Sequence, residues 1–171
     1  MSDDDFPLRP FLPSDTMRLR DLFAQSIEEL TQDDYDEEQR LAWMEQAADE
    51  DAFAKRMTSG VTLVVQIDGE HLGFGTLKSN SVIDLLYVHP EYAGEGVGTA
   101  LADAFERLAA GRGADAITVD ASETAVPFFE KRGYVAMQRS SLPVSDQWLT
   151  FTTMRKPFKA GADRPPQPPV A

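Results

Sequence analysis

Leu85–Gly98 reads LLYVHPEYAGEGVG: an apolar run, glycines at 94, 96 and 98, and then the opening of an amphipathic segment. An extended strand would aim the backbone at the turn. Glycines let such a turn approach a ligand without Cβ clashes, and the first turn of the following helix presents N–H groups with no intrahelical acceptor. Those groups, at the positive end of the helix dipole, suit an anion. The stretch therefore predicts a strand, a glycine turn and a helix that together hold a phosphate-bearing ligand. A nucleoside-triphosphate loop needs GxxxxGK[ST], and no Lys follows Gly98. A dinucleotide fingerprint begun at Gly94 needs a sixth-position glycine where Thr99 stands, and it belongs in the first strand–turn–helix of its fold. A purely structural turn is the plain alternative.

Upstream of the turn the apolar period is that of strands. VTLVVQID (61–68), LGFGTLK (72–78) and VIDLLYV (82–88) are separated by turns at Asp68–Gly69 and Ser79–Asn80, which predicts an antiparallel meander. Downstream, Thr99–Leu108 reads as a helix with Leu101, Ala104, Phe105 and Leu108 inward, closed by Gly111–Gly113. The apolar run AITVDA (116–121) then reads as a strand, and strand–helix–strand with a crossover predicts a right-handed unit with parallel strands. A short helix over Ala125–Lys131, with Pro127 in its first turn, and strands over Tyr134–Leu142 and Trp148–Met154 complete the series.

At the N-terminal end, Phe6–Phe11 reads as an edge strand, and Ser14 or Asp15 as the cap of a helix running to about Leu30. Met17, Leu19, Leu22, Phe23, Ile27 and Leu30 form its expected buried stripe. A second helix starts near Asp36, with Leu41, Trp43, Met44 and Ala47 apolar, and a third passes through Phe53 and Met57. The fold class expected is α/β (α+β).

The chain has 171 residues, 42% of them hydrophobic, which suits one domain. That domain is expected over 1–156, followed by a disordered tail at 157–171 holding five of the eleven prolines. Without cysteine there is no thiolate nucleophile, disulfide framework or Cys-based zinc site, and no metal is expected. No apolar run approaches the roughly eighteen residues of a spanning helix, and MSDDDFPLRP does not read as a secretory signal, so the expected location is the cytoplasm. A net charge of −13 argues against nucleic acid and membrane surfaces as partners. Between Glu28 and Asp51 lie eleven acidic residues and a single Arg, Arg40. Such a run is either a solvated helical face or an electrostatic funnel for a cationic acceptor.

LLYVHPEYAGEGVGTALADAFERLA (85–109) resembles the acetyl-CoA motif (Q/R)xxGx(G/A) of the GNAT superfamily of N-acetyltransferases, with Gly96 and Gly98 in the required positions. ASETAVPFFEKRGY (121–134) resembles that family's NxxAxxFYxxxGF, with Ala125, Phe128, Gly133 and Tyr134 in register. The resemblance spans about Phe6 to Lys156. It implies a GNAT fold: a mixed, mostly antiparallel, seven-stranded twisted sheet splayed between strands 4 and 5 and flanked by about four helices. It also implies direct transfer of the acetyl group of acetyl-CoA to an amine in a ternary complex. Pantetheine would then lie between the diverging strands, beside Leu86, Tyr87 and Val88, with the Val88 N–H polarising the thioester carbonyl. Backbone N–H groups of the segment Ala93, Gly94, Glu95, Gly96, Val97, Gly98 and Thr99 would hold the diphosphate. Ser122, Phe128 and Phe129 would border the coenzyme.

Several positions depart from the motifs. Ala93 replaces Gln or Arg, and Glu95 brings a carboxylate near a dianion, where a helix N-terminus contributes only about 0.3–1 kcal/mol, up to about 2 when partly buried. Glu95 is therefore expected to face solvent, and coenzyme affinity to be micromolar or weaker. Phe129 stands where many members have a tyrosine proton donor; a thiol has a reference pKa of about 8.5, so water suffices to protonate the leaving thiolate. Tyr87 and Tyr134 are substitutes in principle, each also readable as a packed strand residue. Ser122 replaces the motif's Asn and reads equally as a helix cap or a cofactor contact.

An ammonium acceptor of pKa about 10 must lose a proton, and a carboxylate acting through water is the usual device. Asp84 interrupts an apolar strand, and alternation places it on the face of Leu86 and Val88; the alternative is a solvated edge carboxylate. His71 and His89 read more simply as turn residues. The resemblance places the acceptor beside the two N-terminal helices, which carry the acidic run with Tyr35 and Trp43. Those aromatics read as acceptor contacts or, for Trp43, as core. The acceptor expected is a cationic small-molecule amine or a protein lysine or N-terminal amine. A non-catalytic acyl-CoA-binding module and an acidic interaction protein are the alternatives, and a homodimer would form through the final hairpin.

Overall fold

The computed structural model describes residues 6–158. Seven strands form one sheet in the order β1-β2-β3-β4-β5-β7-β6: β1 Leu8–Pro10, β2 Val61–Ile67, β3 Glu70–Lys78, β4 Val82–Val88, β5 Ala116–Ser122, β6 Val135–Val144 and β7 Gln147–Pro157. Only β4 and β5 pair in parallel; every other neighbour is antiparallel. The helices are α1 Thr16–Leu30, α2 Glu37–Met44, α3 Glu50–Thr58, α4 Val97–Gly111 and α5 Val126–Lys131.

The sheet has two buried faces because its strands alternate apolar side chains to both sides. On one face, Leu19, Phe23 and Ile27 of α1 and Phe53 and Met57 of α3 pack on Val64, Phe74 and Leu85. On the other, Leu101 and Phe105 of α4 and Phe129 of α5 pack on Leu77, Ile83, Ile117, Val119 and Met154. The stripe read for α1 holds at Leu19, Leu22, Phe23 and Ile27, but Met17 is 53% exposed and Leu30 only half-buried, and on α2 Leu41 is exposed while Ala42 is buried.

Asp15 does not cap α1 as expected. A 3-10 turn, Pro13–Asp15, leads into the helix, and the Asp15 carboxylate turns back to accept Leu12 N–H at 2.8 Å and to pair with Arg9 and His71 at 2.7 and 2.9 Å. Burial opposes ionisation of Asp15, yet the hydrogen bonds from Arg9, His71 and the Leu12 amide outweigh it and hold the carboxyl well below the usual range. Asp36 does cap α2, accepting Gln39 N–H while the Gln39 side chain accepts the Asp36 N–H. The ordered chain also runs past Lys156: β7 continues through Pro157, and Phe158 N–H donates to Asp115 O at 2.9 Å. The tail expected to be disordered lies, from residue 159 on, outside the described residues.

Candidate active site

β4 and β5 share only two register pairs, Val82 with Thr118 and Ile83 with Val119. Beyond Ile83 the strands separate. On its other side β4 stays paired to β3, but with a bulge: Thr76 faces Leu85 and Leu77 faces Ile83, so Asp84 is the extra residue. The bulge resets the faces of β4. Ile83, Leu86 and Val88 pack with the α4 cluster, whereas Leu85 and Tyr87 pack with the α1–α3 cluster. Asp84 is consequently not on the face of Leu86 and Val88. Its carboxylate meets Arg56 of α3, with Nε to Oδ2 at 2.8 Å and Nη2 to Oδ1 at 3.2 Å.

The separation leaves main-chain groups of β4 without a sheet partner. His89 N–H donates to Leu72 O at 2.8 Å, on the β3 side. Strand alternation then turns the N–H of Val88 the other way, into the gap toward β5. At the far end of the gap stands the glycine turn. Gly94 and Gly96 have φ of +80° and +99°, a region that excludes most side chains, and Gly96 is the residue from which α4 departs. The first helical bond is Ala100 N–H to Gly96 O. Among the described residues, the N–H groups of Gly94, Gly96, Val97, Gly98 and Thr99 have no backbone acceptor, while Glu95 N–H reaches Tyr92 O at 3.3 Å. A Cβ on Gly98 would lie 3.6 Å from both the Phe128 ring and Val88, filling the space between them.

These features border one cavity of about 520 Å³. Gly94, Gly96, Gly98, Val88 and Phe128 line it on the α4 side; Ser26, Ile27, Leu30, Trp43 and Tyr87 line it on the α1–α2 side. The cavity therefore passes through the sheet at the split between β4 and β5. Of the residues expected at the coenzyme, Leu86, Tyr87, Val88, Ala93, Gly94, Gly96, Gly98, Thr99, Ser122, Phe128 and Phe129 all line it. Val97 is instead buried in the core beneath α4, and Glu95 is exposed and absent from the lining. Asp84 lines the cavity with both oxygens engaged by Arg56.

Tyr35 does not reach the cavity. It is 5% exposed, and its hydroxyl donates to Thr150 O at 2.6 Å and accepts Glu123 N–H at 3.0 Å, so it ties the β5–α5 connection to β7. Trp43 does line the cavity; its Nε1 donates to the Tyr87 hydroxyl at 3.3 Å and its ring meets Tyr35 edge-on at 5.2 Å. Burial pushes the Tyr87 phenol up to about 12. The Tyr87 hydroxyl accepts from Trp43, and the side chain forms part of the cavity wall. Tyr134 is buried outside the cavity, donates to Glu106 Oε2 at 2.9 Å, and is raised far above its usual range by burial and by that carboxylate. His71 and His89 lie together in a second cavity between α1 and the start of β3.

Sequence reasoning missed Asp120, Ser26 and Thr124 in the lining. Asp120 interrupts AITVDA as Asp84 interrupts VIDLLYV, so the signal used for one was present for the other. Thr124 donates to Asp34 Oδ2 at 2.7 Å and draws the α1–α2 connection to the cavity rim.

A sheet split at its one parallel pair, with a glycine turn and helix N-terminus at the mouth of the split, defines a class of protein that binds an anionic ligand across its sheet. Comparison with known proteins places it more closely. The model of the acetyltransferase (GNAT) domain family matches residues 31–158, and the chain belongs to that family. An uncharacterized N-acetyltransferase of Escherichia coli K12, YafP, is 28% identical over 152 residues, covering 89% of this chain and 96% of the relative. The crystal structure of a GCN5-related N-acetyltransferase from Rhodopseudomonas palustris superposes with TM-score 0.89 at 49% identity, over 92% of this chain and 99% of that one. The PaiA N-acetyltransferase of Thermoplasma acidophilum, solved with coenzyme A, has the same fold with TM-score 0.71 at 18% identity, over 92% and 100% of the two chains.

Proposed function

We propose that this acetyltransferase carries the acetyl group of acetyl-CoA directly to a cationic amine within a ternary complex. The observation that carries the proposal is the passage of one cavity through the sheet, with unpaired amides at one mouth and, in the rest of its lining, two carboxylates, Asp84 and Asp120, and no Lys, Arg or His among the described residues. Acetyl-CoA supplies the activated acyl group. The amides at the start of α4 are placed to hold its diphosphate, and the Gly98 space and the unpaired edge of β4 accommodate the pantetheine arm. The Val88 N–H faces the gap as a single donor to the thioester carbonyl oxygen.

The amine nitrogen attacks the carbonyl carbon, the C–N bond forms and the C–S bond breaks. Phe129 has no hydroxyl to protonate the departing thiolate, which, with a conjugate-acid reference pKa of about 8.5, leaves as the anion and takes its proton from solvent. Asp84 fits the base through water, since each of its oxygens keeps a free lone pair beside the bond from Arg56. The test is thiol release from acetyl-CoA across a panel of cationic and anionic amines. Turnover with cationic amines supports transfer, whereas coenzyme binding with no thiol release for any amine points to a binding module. Asp84→Asn is expected to lower kcat and leave KM for acetyl-CoA nearly unchanged; unaltered turnover removes Asp84 from the reaction.

A further inference from the structure

The fork in the sheet carries two carboxylates, and they are differently held. Because Ile83 with Val119 is the last β4–β5 pair, Asp84 and Asp120 are the first residues past the fork on their strands. Ile117, Val119 and Ala121 are buried on the α4 side. Alternation turns Asp120 to the opposite side, where α1, α2 and α3 lie. Its register partner on β7, Thr153, shares that side and donates its hydroxyl to Asp120 Oδ1 at 2.7 Å. Asp120 is exposed and lines the cavity.

Asp84 is neutralised by Arg56, its two oxygens each taking a guanidinium N–H. Asp120 has a neutral hydroxyl on one oxygen, and among the described residues no Lys, Arg or His pairs with it. Nor does any Lys, Arg or His among the described residues line the cavity. One uncompensated negative charge thus sits at the point where the two mouths meet. On the same side Ile27, Leu30, Trp43 and Tyr87 give the cavity an apolar wall, with Ser26 and Thr31 beside it. A ligand that satisfies both features is a positive group at the end of a hydrophobic body.

We propose that Asp120 receives the ammonium of the acceptor, and that the acceptor selected is a primary ammonium on an apolar stem. Asp120 acts as a charge anchor on substrate; Arg56 keeps Asp84 from competing for the same cation. This rests on the acetyl-transfer reading for its biological meaning, but binding tests it separately. With coenzyme A bound, benzylamine, protonated at neutral pH, is compared by calorimetry with benzyl alcohol, which has the same ring and no charge.

The full-length wild-type protein is expected to prefer benzylamine by about tenfold or more, the worth of one charge-assisted hydrogen bond. Asp120→Asn should erase that preference while coenzyme A affinity stays unchanged, and Asp120→Glu should restore part of it. Unchanged coenzyme A affinity certifies the fold of each variant, with Asp120→Ser replacing Asp120→Asn should the latter fail that check. A wild type indifferent to charge, or a preference that survives in the variant, overturns the proposal. A charge preference lost in Asp120→Asn, without thiol release from acetyl-CoA by any amine, upholds the anchor and defeats the transfer reading instead.

Discussion

Gly98 shows how a single missing Cβ becomes a binding feature. Its φ is not in the left-handed range, so its backbone accepts any residue; what it provides is the space between Phe128 and Val88. At 3.6 Å an added methyl group makes ordinary van der Waals contacts and does not strain the fold. Gly98→Ala is therefore expected to leave Tm within about a degree or two of wild type, because nothing is displaced. Coenzyme A affinity should fall by about tenfold or more, because the methyl occupies the ligand's volume. Calorimetry with thermal melting separates the two effects, and an unaltered affinity would mean the cofactor does not pass beside Gly98. Asp84 teaches the complementary lesson. Its presence in an apolar strand was readable, but its direction was not, since one bulged residue inverts every inference drawn from alternation.

Between elements, Glu106 of α4 joins three neighbours that sequence patterning leaves separate. Its carboxylate accepts from Arg132, just beyond α5, at 3.0 Å, from Tyr134 at 2.9 Å and from Lys156 of β7 at 2.7 Å. Arg132 has a second partner in Asp103 at 2.6 Å, whereas Lys156 has no other carboxylate among the described residues. The cluster fixes α5 against α4, and α5 supplies the Phe128 wall of the cavity. Glu106→Gln keeps the shape and removes the charge. It should destabilise by about 1–3 kcal/mol, since Lys156 loses its one carboxylate among the described residues and Arg132 loses one of its two. That is a fall of several degrees in Tm for a domain of this size. A calorimetric scan that shows no change would reduce the cluster to surface decoration.

For the molecule as a whole, the Arg9–Asp15–His71 contact joins the first strand, the start of α1 and the start of β3. The native state holds Asp15 ionised against burial, so its folded pKa lies below the unfolded reference of about 3.9. The stabilisation is thus complete above about pH 4 and is lost as acid protonates the native carboxyl below it. Asp15→Asn should lower stability at neutral pH and flatten the acid limb of a denaturation curve below about pH 4. Equal acid slopes for both proteins would remove Asp15 from the linkage.

The sequence by itself determined the order and type of the elements, the antiparallel meander, the crossover that makes β4 and β5 parallel, and the glycine turn that opens α4. These are local matters of apolar period, turn chemistry and backbone freedom, all carried by neighbours in the chain. Only the tertiary structure decided that Tyr35 is a buried strut, that Arg56 claims Asp84 and that Asp120, at the fork, pairs with no cation among the described residues. Those outcomes depend on which distant side chain fills the space opposite a given residue. A bulge or the end of a strand pairing settles that, and neither leaves a mark in the periodicity of one strand.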